Sequence, residues 1–113
     1  MPHCIIEYSK NLQKSIEPSA LISVVHQAAI ECGLFEPDDI RSRAVAFDDH
    51  QIRADKHSFI HVTLRIMIGR STAQKQQLSR EIMAALETLK LSSIIFSVEI
   101  CDIDQTTYTK VTL

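Results

Sequence analysis

Proline at position 2, directly behind Met1, is the residue of this 113-residue chain with the most distinctive chemistry. While Met1 is attached, the proline nitrogen is a tertiary amide with no proton and no useful basicity. Removal of Met1 would turn it into a secondary amine that titrates like an α-amino group, with a reference pKa of roughly 8. Partial burial and nearby guanidinium groups would lower that value and enlarge the neutral fraction at pH 7. Such an amine is a candidate general base for moving a proton on a carbon acid.

A base needs partners that hold an anionic substrate. Arginine is well suited to that role, because its fork presents parallel N–H donors to a carboxylate and its charge is permanent. Arg41 and Arg43 alternate along one side of a strand-like run, and Arg70 follows Gly69 just before a helix start. Free backbone N–H groups at that helix start can assist anion binding. Each arginine also has a plainer reading: Arg41 and Arg43 as a solvated or subunit-interface pair, Arg70 as an exposed loop residue. His3, next to Pro2, either tunes the base or simply begins the first strand.

Other polar groups make weaker constellations. His57 and His61 have a spacing that would suit a metal on a helix, but along a strand four residues span roughly 13 Å, so no metal site is assigned there. Asp48, Asp49 and His50 read as a solvated turn, and Asp102 with Asp104 forms no acid and base pair. No cofactor is called for by the residues present. Cys4, Cys32 and Cys101 are odd in number and lack a C-x-x-C spacing, which points to buried free thiols rather than a disulfide framework or a zinc site.

The elements that position these groups follow from hydrophobic periodicity. His3 to Tyr8 reads as a strand, and Glu17-Pro18-Ser19 opens a helix. Its stripe of Leu21, Ile22, Val24, Val25, Ala28, Ala29 and Cys32 ends at Gly33. Ile40 to Asp48 is strand-like, with Ile40, Ser42, Ala44 and Ala46 on one side and Arg41, Arg43, Val45 and Phe47 on the other. Asp48 to His57 is a polar connection, read either as a loop or as a hairpin. The order then repeats: a strand from Ser58 to Ile68, a helix from about Thr72 to Lys90 opened by the capping box Ser71-Thr72-Ala73-Gln74, and a strand from about Ile94 to Ile103.

Two such units, at about 2–50 and 58–104, make one α+β domain over residues 1–113: duplicated β-α-β units forming a four-stranded mixed sheet with both helices on one face. Ile60, Val62, Leu64, Ile66 and Ile68 would face the helices. Phe59, His61, Thr63, Arg65 and Met67 would face away. That second set is too apolar for plain solvent, so further copies of the chain are expected to cover it. The strand-prone tail Thr106 to Leu113 is a candidate for pairing across a subunit boundary. A formal charge of -2 gives no global attraction to nucleic acid or an anionic membrane, and no apolar run has the length of a bilayer span. The chain reads as cytoplasmic.

Met1-Pro2-His3, Ile40-Arg41-Ser42-Arg43, and His61-Val62-Thr63-Leu64-Arg65-Ile66 followed by Gly69-Arg70-Ser71 together resemble the 5-carboxymethyl-2-hydroxymuconate isomerase family of the tautomerase superfamily. The resemblance runs over most of the chain, in order and with nearly unchanged spacing. It implies a homotrimer with the sheets wrapped into a barrel and one site per subunit near the amino-terminal proline. The implied reaction is a cofactor-free 1,3 or 1,5 proton shift in an unsaturated hydroxy or oxo dicarboxylate. Pro2 would be the base, Arg41 the carboxylate-binding arginine, and Arg43 and Arg70 further candidates. The sequence departs from the family pattern at Cys4, at Ala46-Phe47 and in a shorter segment after the second helix. A phenylpyruvate-type tautomerase or a hydratase on the same scaffold, and a trimeric binding protein without chemistry, are the alternatives.

Overall fold

A computed structural model describes residues 1–113. The strands are β1 (His3–Ser9), β2 (Arg41–Phe47), β3 (Ser58–Met67) and β4 (Ile94–Ile103), and the helices are α1 (Pro18–Glu31) and α2 (Thr72–Glu87). The sheet order is β2-β1-β3-β4. β1 runs parallel to β2 and β3 parallel to β4, while the central pair β1 and β3 is antiparallel. Each β-α-β unit therefore contributes one inner and one edge strand, and the two units meet back to back.

The alternation of side chains explains where the core sits. Cys4, Ile6 and Tyr8 of β1 and Ile60, Val62, Leu64 and Ile66 of β3 are buried against Leu21, Val25 and Ala29 of α1 and Leu78, Ile82 and Leu86 of α2. Each large aliphatic side chain so buried contributes about 1.5–3 kcal/mol. Both helices lie on this one face, packed against each other and against the edge strands. A short 3-10 helix at Lys10–Lys14 adds Leu12 to the same core.

Pro18 occupies the first turn of α1, and Gly33 at φ 77° turns the chain out of it in the left-handed region that glycine tolerates. The capping box on α2 is complete: Ser71 Oγ accepts from the Gln74 backbone N–H at 3.1 Å, and the Gln74 side chain accepts from the Ser71 N–H at 2.9 Å.

Three expectations are corrected. Ile68 does not face the helices: β3 ends at Met67, the chain turns at Gly69 with φ 126°, and Ile68 is 55% exposed. The connection from Asp48 to His57 is not a hairpin, because β1 lies between β2 and β3; it crosses the sheet to join the two units. α2 ends at Glu87 rather than Lys90. The tail forms no strand within the chain; Asp104 to Thr107 is a turn, with Tyr108 beyond it. All three cysteines are free thiols; Cys4 is buried, and Cys32 and Cys101 are half-buried.

Candidate active site

Pro2 precedes β1 and its ring is fully buried. Its carbonyl accepts the Arg41 N–H at 3.0 Å, which ties the amino terminus to the start of β2. The parallel register His3 to Arg41 sets Pro2 beside Ile40 and Met1 beside Asp39. A cleft of about 310 Å³ opens there, lined by Met1, Pro2, Phe35, Glu36, Asp39 and Arg70, with Gly33 and Leu34 completing it. The loop after α1 supplies one wall and the turn between β3 and α2 supplies Arg70.

Arg70 is held rather than loose. Its Nη2 donates to the Leu34 carbonyl at 2.6 Å, and its guanidinium lies over the Phe35 ring, 5.5 Å from the centroid. Cation–π contact and the hydrogen bond together fix the fork with other N–H groups left for an anion. The free amine of the chain, on Met1, has its pKa lowered from the ordinary value, chiefly by burial; Asp39 opposes this, and Arg70, Lys110 and Arg41 add to it. An amine at this spot is thus biased toward its neutral, basic form.

The structure does not bring the three candidate arginines together. Arg70 shares the cleft with Pro2. Arg41 and Arg43 alternate onto the sheet face away from the helices, and both are exposed. Arg43 Nη1 donates to His3 Nδ1 at 3.2 Å, and His3 Nε2 meets the Tyr108 hydroxyl at 2.8 Å. Burial, followed by Arg43, Arg41, the chain amine and Arg65, lowers the His3 pKa.

His61 pairs with Glu99 at 2.9 Å and with Ser97 at 2.6 Å, so it is engaged within the sheet. Its partner Glu99 is held below the usual carboxylate range mainly by that hydrogen bond. Asp48 pairs with Lys10 and Asp102 with Lys75, while Asp104 closes its own turn through Thr106. A wider groove of about 700 Å³ between α1 and α2 carries two like-charged carboxylates, Glu31 and Glu81, and none of the candidate residues reaches it.

Asp39, Phe35 and Tyr108 were not singled out by the sequence. Asp39 was within reach of it: parallel pairing of the first two strands places the residue two before Arg41 beside Met1. Phe35 and Tyr108 lie in irregular segments, where periodicity carries no signal.

Two β-α-β units back to back, with a buried proline at the head of the first strand and a cleft that holds Arg70 beside it, define a tautomerase-type protein. Solved structures bear out that fold. A 5-carboxymethyl-2-hydroxymuconate delta-isomerase superposes with a TM-score of 0.86 at 19% identity, covering 99% of this chain and 89% of that one. The 5-carboxymethyl-2-hydroxymuconate isomerase of Deinococcus radiodurans R1 gives 0.85 at 21% identity, covering 99% and 90%. A symmetric fused 4-OT trimer gives 0.74 at 15% identity, covering 92% and 87%.

Sequence comparison narrows the class. Residues 2–112 match the model of the 5-carboxymethyl-2-hydroxymuconate isomerase family. The 5-carboxymethyl-2-hydroxymuconate Delta-isomerase of Escherichia coli is 32% identical over 108 residues, which span 88% of this chain and 86% of that protein. The chain belongs to the 5-carboxymethyl-2-hydroxymuconate isomerase family and is an isomerase of the tautomerase type.

Proposed function

We propose that the protein isomerises an unsaturated hydroxy or oxo polycarboxylate of the 5-carboxymethyl-2-hydroxymuconate kind, with the amine of Pro2, freed by loss of Met1, as the base. The observation that carries this reading is the cleft itself: a buried Pro2 beside a fixed Arg70, in surroundings that favour a neutral amine. Neutral Pro2 takes the hydroxyl proton of a dienol. The electron pair moves through the conjugated system as the carbonyl forms, and the resulting ammonium returns the proton to carbon. Nothing is gained or lost overall, so the chain's own residues suffice for the balance. Arg70 binds the carboxylate nearest the base, and Arg41, with Arg43, takes one on the other side of the amino terminus. Fixed guanidinium donors stabilise the dienolate without reorganising during the reaction.

A homotrimer fits the uncovered sheet face, with partly exposed Ile5, Val45, Phe47, Phe59 and Met67 on it, and the solved 4-OT neighbours that are trimers support it. The test combines two measurements on one untagged preparation: intact mass, and ketonisation of 2-hydroxymuconate-type dienols followed by ultraviolet absorbance. The expected result is a mass lacking methionine with rapid, saturable turnover, and a loss of about 10²–10⁴-fold in kcat for Pro2→Ala. A processed chain inert toward every such dienol would overturn the proposal and leave a binding role in its place.

A further inference from the structure

The two β-α-β units leave their helices differently. After α1 the left-handed position is Gly33, at φ 77°, where the missing side chain removes the steric cost. After α2 no glycine follows, and Lys90 and Ser93 both adopt φ 54° on the way into β4. Residues with a Cβ resist that conformation, so this turn keeps a lysine and a serine where glycine would be less strained. Strain of this kind is held where the side chains serve a purpose that glycine cannot.

Both residues line a cleft of about 570 Å³ at the far end of the sheet from Pro2. β3 starts beside it at Ser58 and ends at Met67, near the turn that carries Arg70. At about 3.3 Å per residue, that strand sets the two clefts on the order of 30 Å apart. The short 3-10 helix after β1 contributes Lys14 at its end and Ser15 just beyond, and the turn after α2 contributes Lys90, Ser92 and Ser93. Asn11 braces the walls, donating to the His57 carbonyl at 3.0 Å and to Ser58 Oγ at 3.2 Å.

The titratable groups of the lining are Lys14, Lys90 and His57, with no carboxylate among them. Neither lysine enters any of the four ion pairs of the chain. Two ammonium groups and the hydroxyls of Ser15, Ser92 and Ser93 therefore surround the space as donors from two separate segments. The carbonyls of the last turn of α2, which would repel an anion, accept from the Thr88, Leu89 and Lys90 N–H groups. The floor is apolar: Leu12 belongs to the core, and Leu89 and Leu91 pack against it.

We propose that this cleft binds a small phosphate monoester, held by Lys14, Lys90 and the hydroxyls of Ser92 and Ser93, with its organic group on Leu12, Leu89 and Leu91. A phosphate monoester presents three acceptor oxygens and a charge of about −1.5 to −2 near pH 7, which matches donors that converge from two sides better than a planar carboxylate does. Lysine binds phosphate as a point charge and needs no fixed fork. The volume suits a small organic ligand. The site is separate from the cleft of Pro2 and does not rest on the isomerase reading.

Phenyl phosphate is the probe. Isothermal titration of the whole protein at low salt should show binding that weakens about tenfold in Lys90→Gln and in Lys14→Gln, the loss expected for one charge-assisted contact. Arg70→Gln should leave it unchanged, and inorganic phosphate should bind more weakly because it leaves the leucines uncovered. Ser93→Gly separates binding from folding: it releases the strained φ, so Tm should rise while affinity for phenyl phosphate falls. No binding by the wild type, equal affinity in the wild type and both lysine variants, or binding lost in Arg70→Gln would overturn the site. Equal affinity for phenyl phosphate and inorganic phosphate would overturn the ester assignment. A Ser93→Gly protein that melts lower than the wild type would overturn the argument from strain.

Discussion

Asp39 and Arg70 exert opposite influences on the amine at the head of β1. Asp39 raises its pKa, whereas burial and the cations Arg70, Lys110 and Arg41 lower it. Pro2 lines the same cleft as Asp39 and Arg70. Replacing Asp39 by Asn removes the charge that stabilises the ammonium, so the pKa falls further and the neutral base persists to lower pH. The ascending limb of kcat/KM against pH should therefore move to lower pH in Asp39→Asn, while Arg70→Gln should move it upward and also raise KM. An Asp39→Asn profile superimposable on the wild type would show that the carboxylate does not reach the base. The position of Pro2 behind Met1 was legible in the sequence because it is covalent, but its neighbours in the cleft were not. Arg41 follows Pro2 closely in register, yet the alternation of β2 sends its side chain to the outer face. Arg70, assigned a lesser role from sequence, is the arginine that enters the cleft.

Local chemistry was legible wherever one element decides it, and illegible where two elements must meet. The capping box of α2 could be read directly, because four consecutive residues suffice to make it. Its loss should be measurable: Ser71→Ala should cost about 0.5–2 kcal/mol and lower Tm by roughly 4–8 °C per kcal/mol in a thermal melt. The functional consequence belongs to Arg70, which immediately precedes the cap; a frayed first turn loosens its grip on the Leu34 carbonyl and should raise KM more than it lowers kcat. A Tm unchanged within about one degree would mean that tertiary packing alone holds the helix end. The alternation of β3 was equally legible through Ile66 and failed at Ile68, because periodicity does not say where pairing stops. Partner choice was hidden as well. The pattern of β2 and β3 is compatible with a hairpin, and only the insertion of β1 between them excludes it.

At the scale of the whole molecule, one sheet face is covered by helices and the other is left largely open, with Tyr108 against His3 and His50 against Phe59 lying on it. Val45 on that open face is 48% exposed, with Ile5, Phe47, Phe59 and Met67 sharing it. A patch of this kind on a small protein marks a contact surface, and the proposed trimer would bury it. Val45→Asp tests this because the residue is already solvated in the single chain, so the substitution creates no core defect. Its cross-strand neighbour is Glu7, and a like-charge pair there costs only about 0.2–1 kcal/mol, too little to unfold the protomer. In a subunit interface the same carboxylate would be desolvated without a partner, a far larger penalty. Light scattering should give the wild type three times the 12.8 kDa of one chain and Val45→Asp a single chain's mass, with far-ultraviolet dichroism unchanged. Wild-type protein at the protomer mass, or a variant that keeps the trimer, would refute burial of this face. Turnover measured on the dissociated variant then locates the site: activity that survives means each chain holds a complete cleft, and activity that vanishes while the fold persists means a neighbouring subunit completes it.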